Sequence, residues 1–189
     1  MSDKELVKRA SKGDSRAFDL LVHKYQHRIF ALISRYIRDQ DEVQDVAQEA
    51  FIKAWKALPR FRGDSAFYTW LYRIAVNTAK NHLVSMGRRP PSSDVDATEA
   101  EQFSGAPGLR EIGTPESEAM SEELEQAINQ VIDQLPQELR TAVTLREFDG
   151  LSYEDIAAVM ECPVGTVRSR IFRAREAIDE VVRPIMQTD

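Results

Sequence analysis

The chain has 189 residues, 42% hydrophobic and 30% charged, which is enough apolar material for one medium or two small cored domains. No uninterrupted apolar run exceeds five residues, as at Ile156–Met160, which excludes a membrane-spanning helix; the start, Met1-Ser2-Asp3-Lys4-Glu5, lacks secretory-signal character, so a cytoplasmic protein is expected. The single cysteine, Cys162, excludes an internal disulfide and a cysteine-based zinc site, and a net charge of −6, taken whole, argues against nucleic acid as a partner.

In chain order, a short opening helix is expected to end near Gly13. Asp14 and Ser15 cap a second helix, whose Phe18, Leu21, Val22, Tyr25, Ile29, Leu32, Ile33 and Tyr36 form one continuous apolar face. Val43, Val46, Ala47, Ala50, Phe51, Ala54 and Leu58 mark a third, stopped by Pro59. Phe67, Leu71, Ile74, Ala75 and Thr78 mark a fourth, from about Ser65 to Met86. Pro90, Pro91, Pro107 and Pro115, with three of the eight glycines, then interrupt the pattern. Further helices are expected near 117–134, 136–148, 152–160 and 164–182, and no segment alternates at period two. The expected fold is therefore all-α: two small helical domains, 1–91 and 119–189, joined by a flexible acidic linker at 92–118.

Charge follows the same division. Residues 1–91 carry a net +7, residues 92–125 a net −9 and residues 126–189 a net −4. Four of the seven arginines in the last block lie between 168 and 175, so the average conceals a local basic field.

Enzyme signatures are missing: no P-loop, dinucleotide fingerprint or Gly-x-Ser-x-Gly is present. His23 and His27 are four apart, but no carboxylate completes a metal set, and a solvated helix face is the better reading. No cofactor and no small-molecule substrate are expected. Near the C-terminus, Ser152 caps an amphipathic helix, Glu161-Cys162-Pro163 breaks it, and Val164, Val167, Ile171, Ala174 and Ile178 stripe a second. That is the layout of a helix-turn-helix, although an ordinary αα-hairpin shares it. Arg168, Ser169, Phe172 and Arg173 share the outward face of the second helix, and arginine and phenylalanine suit guanine and the thymine methyl.

The stretch from Arg60 to Arg73 holds five of the 15 aromatics, interleaved with basic residues. Phe67 and Leu71 belong to the core stripe, while Tyr68 and Tyr72 fall toward Arg73, Asn77 and Lys80. Rings beside cations hold single-stranded nucleic acid by stacking, and Gly63-Asp64-Ser65 can form a loop for one extruded base. A helix packed aromatically on both sides is an equally good reading of composition alone.

The runs Asp45–Trp55, Phe61–Lys80, Gly87–Asp96 and Pro163–Arg175 together resemble the extracytoplasmic-function sigma factors of the sigma-70 family, near the sigma-E type. The resemblance implies a subunit that binds core RNA polymerase and directs it to stress-response promoter DNA, without catalysis. It places a polymerase-binding helix at about 45–56, with Gln48, Glu49, Phe51 and Lys53 as candidates. It places single-strand reading of the −10 element on Gly63, Asp64, Ser65, Tyr72, Asn77 and Lys80 in sigma domain 2. Duplex reading of the −35 element falls to Arg168, Ser169, Phe172 and Arg173 in sigma domain 4. A membrane-anchored anti-sigma factor is the expected inhibitor. The aromatic–basic stretch argues against a free-standing helix-turn-helix repressor, and the arginine-rich helix against a plain interaction module.

Overall fold

A computed structural model describes residues 2–87 and 115–187. Among them are eight α-helices and no strand. The expected linker lies outside the described residues except for 115–118, which open a helix.

Helix α1 (Asp3–Ala10) starts with a capping box in which Ser2 and Glu5 satisfy each other's backbone N–H groups. Helix α2 (Ser15–Ser34) is capped by Asp14, which accepts from the Ala17 N–H at 3.1 Å, and helix α3 (Gln40–Ala57) by Asp39. Leu58–Arg60 add one 3-10 turn, where Pro59 prevents α3 from continuing. Helix α4 (Phe67–Ser85) begins two residues later than the spacing suggests. Gly63 sits at φ 78°, in the left-handed region, and Ala66 is extended, so the chain turns before it can coil. The apolar stripe of α2 is buried as expected, with Ile29, Leu32 and Ile33 wholly enclosed against α3 and α4.

The second half holds α5 (Pro115–Gln134), α6 (Gln137–Glu147), α7 (Tyr153–Met160) and α8 (Val164–Met186). Ser152 caps α7, accepting from the Asp155 N–H at 3.1 Å. Losing that acceptor strands a helix donor, so Ser152→Ala should lower stability by about 1 kcal/mol in urea unfolding without moving the transition's slope. Glu161 ends α7 at φ 52°, and Pro163 starts α8. Val167, Ile171 and Ala174 of α8 are buried, α6 and α7 pack against it, and α5 runs along its C-terminal half.

The two domains pack against each other. Helix α7 packs on α4, and the hydrophobic core runs from Leu71, Val76 and Ala79 into Leu145, Ile156 and Val159 without interruption.

Candidate nucleic-acid interfaces

On α8, burial of Val167, Ile171 and Ala174 turns the opposite face outward. Arg168, Ser169, Phe172 and Arg173 are all exposed on it, and Phe172 is 62% exposed. A ring that large left in water, flanked by guanidiniums, has no structural partner to explain it. Ser169 instead caps inward, donating to the Gly165 carbonyl at 3.0 Å, which leaves its oxygen lone pairs free to accept. Behind this face Cys162 is half-buried in the turn, and its Sγ accepts from Arg170 at 3.5 Å.

On the first half, Gly63, Asp64 and Ser65 form a surface loop ahead of α4, whose N-terminus has no side-chain cap. Phe61, Phe67 and Trp70 cluster beneath it, with the Trp70 ring centroid 5.0 Å from Phe61 and 5.7 Å from Phe67. Asn77 and Lys80 are half-exposed further along α4, as expected. Tyr72 departs from expectation. It is fully buried, because α7 and the turn before it cover that side of α4, and in this conformation it cannot stack on a base. Burial, with Asp149 nearby, pushes its hydroxyl up to about 12.

The residues that cover α4 are acidic. Tyr68 donates to Asp155 at 3.2 Å, and Asn77 donates to Glu161 at 3.4 Å. Arg73 lies 3.7 Å from Glu161 and Lys80 3.9 Å from Glu138. Deeper in, Arg35 meets Asp149 at 3.4 Å, with both side chains close to one-eighth exposed. Burial raises the Asp149 carboxyl against the opposing pull of Arg35 and Arg28, and burial likewise lowers Arg35.

A third surface lies between α2 and α3. It is an open groove of about 490 Å³ lined by Phe18, Val22, Phe51, Ile52 and Trp55, with Gln48 at its edge. Phe51 is half-buried there, so it faces both the core and the groove. Glu49 and Lys53 are exposed and pair with each other at 2.7 Å. The sequence pointed to Phe51 but not to Ile52, which is 47% exposed. Its signal was present: an isoleucine lying off the apolar stripe of α3.

Among the described residues no cluster of His, Cys, Asp or Glu is arranged to hold a metal, and His23 and His27 are exposed. No described helix is long and apolar enough to cross a membrane.

Two family models match the chain: Sigma-70 region 2 over residues 21–89, and Sigma-70 region 4 over residues 125–178. The RNA polymerase sigma-H factor of Pseudomonas aeruginosa is 65% identical, over 98% of this chain and 96% of that one. The chain belongs to the sigma-70 family. Within it, the sigma factor is of the extracytoplasmic-function type: the Escherichia coli ECF RNA polymerase sigma-E factor is 64% identical over 99% of this chain and 97% of its own. Sigma factors are transcription initiation factors, not enzymes. The solved structure of CnrH in complex with the cytosolic domain of CnrY is 27% identical, with a TM-score of 0.64 over 96% of this chain and 97% of that one. The sigma factor's helices α2–α4 thus fall mostly in region 2, and α6–α8 mostly in region 4.

Proposed function

We propose that this sigma factor gives core RNA polymerase its promoter specificity through three surfaces, each with its own partner. The observation that carries the proposal is the outward face of α8, where Arg168, Ser169, Phe172 and Arg173 stand exposed on a helix held rigid from behind. Such a helix enters the major groove of a −35 duplex with its side chains at the base edges. The Gly63-Asp64-Ser65 loop, Asn77 and Lys80 take the −10 element as a single strand, and the ring cluster below keeps that loop in place. Tyr72 joins them only after α7 moves off α4.

The α2/α3 groove, with Gln48, Glu49, Phe51 and Lys53 around it, binds polymerase. An apolar trough with a polar rim has the composition of a protein interface. CnrH was solved bound to the cytosolic domain of CnrY, and an anti-sigma factor held at a membrane is the corresponding partner proposed here. The sigma factor itself works in the cytoplasm.

Reconstitution with core polymerase tests this directly, scoring promoter-specific transcripts on a genomic fragment library. Transcripts that start at random, or not at all, would overturn the proposal. Asn77→Ala should leave −35 duplex binding intact and reduce open-complex formation about tenfold, the scale of one lost base contact. Permanganate reactivity of unpaired thymines reads that step, and wild-type reactivity removes Asn77 from the site.

A further inference from the structure

We propose that region 4 of this sigma factor is its own inhibitor: an Arg35–Asp149 latch holds it on α4, where its carboxylates occupy the places that −10 DNA would take. The inference rests on the assignment of α4 as the −10-reading surface.

Four polar side chains of α4 meet carboxylate oxygens of region 4. Tyr68 reaches Asp155, Arg73 and Asn77 reach Glu161, and Lys80 reaches Glu138. A nucleic-acid strand also presents anionic oxygens to such donors. The same donors cannot serve both, so closure and strand capture exclude one another. Glu138 is additionally fixed at 3.0 Å by Arg170 of α8, which ties the mask to the recognition helix.

All four of these contacts involve half-exposed or exposed groups, and pairs of that kind contribute little alone. What holds the halves together lies beneath them. Tyr72 is fully enclosed, and the apolar core is continuous across the contact. Arg35, at the end of α2, and Asp149, in the α6–α7 turn, are then largely enclosed together and bridge 114 residues of sequence. An ion pair of this kind adds little net stability but is intolerant of losing one member, because the other charge is stranded away from water. It therefore acts as a latch and not as glue.

The device is selective. The outward face of α8 stays exposed in the closed chain, so −35 reading is not masked. The α2/α3 groove is lined only by residues between 15 and 55, so polymerase can dock while region 4 is still closed. Docking that pulls region 4 toward a −35 element would then uncover α4 at the promoter and not before.

The test uses the full-length chain without polymerase. Small-angle X-ray scattering reports closure. Fluorescence anisotropy reports binding of a labelled single strand carrying the −10 region of a promoter that the reconstituted holoenzyme transcribes. Asp149→Asn should expand the particle and tighten single-strand binding about tenfold, as expected when a closed state held at ten to one is released. Binding of a −35 duplex should not change, which also shows that region 4 remains folded. Replacing both partners, Arg35→Met with Asp149→Leu, should restore compactness and weak binding, since an apolar pair of similar size tolerates burial. A compact Asp149→Asn variant overturns the latch, and an expanded one with unchanged affinity overturns the masking. A double variant that stays open also overturns the latch, because the single variant's effect then comes from lost packing. If the gain survives Asn77→Ala in the Asp149→Asn background, the −10 assignment fails while closure stands.

Discussion

Ile171→Ala should destabilise region 4 by about 2–5 kcal/mol, measured by urea unfolding, and abolish −35 recognition under conditions where the unaltered chain still binds. Ile171 is 1% exposed and lies between the two exposed pairs of the proposed recognition face, Arg168 with Ser169 and Phe172 with Arg173. Truncation leaves a cavity behind the proposed reading face, so stability and recognition should fall together. The neighbouring cost is not spread evenly. Ala174, also on the buried side, has no side chain left to remove beyond one methyl, so the helix depends on Val167 and Ile171 for its anchorage. Loss of stability with full retention of promoter selectivity would show that some other element positions the reading face.

Arg173→Ala isolates recognition from packing. The side chain is exposed, so its removal leaves the fold alone, and surface changes of this sort usually stay within about 0.5 kcal/mol of neutral. Binding to the −35 duplex should nevertheless weaken by about 1–3 kcal/mol, roughly 5- to 150-fold, with discrimination relaxed at one base pair. Arg173→Lys separates two possibilities. A point charge maintains phosphate attraction but not a planar bidentate pair, so affinity should recover in part and base preference should not. Equal affinity losses across all promoter sequences would instead place Arg173 on the phosphate backbone.

Much of this architecture could be read from the sequence because the signals are local. The stripe from Phe18 to Tyr36 announces α2, and Ser152 announces the start of α7. Arg168, Ser169, Phe172 and Arg173 fall on one face by helical spacing alone, and burial of Val167 and Ile171 leaves them outside. The burial of Tyr72 was not legible for a related reason. Its position on α4 is correct by spacing, but what covers it comes from the other end of the chain and leaves no trace in the residues around it. Asp149, Asp155 and Glu161 gave no hint either, since scattered carboxylates in turns and on short helices usually face solvent. Their meaning depends on which donors stand opposite. The groove was half legible: Phe51 belongs to a stripe, whereas Ile52 becomes informative only once α2 is seen to leave it uncovered.

Glu161 carries a further consequence. It is the only non-glycine with positive φ among the described residues, at the turn before α8, where glycine would relieve about 1 kcal/mol of backbone strain. Glycine would also delete the carboxylate that reaches Asn77 and Arg73. A more relaxed turn would therefore come at the expense of contact between region 4 and α4. A version of this protein designed by rewarding relaxed turns would gain an easier backbone there and lose the carboxylate that two α4 donors share.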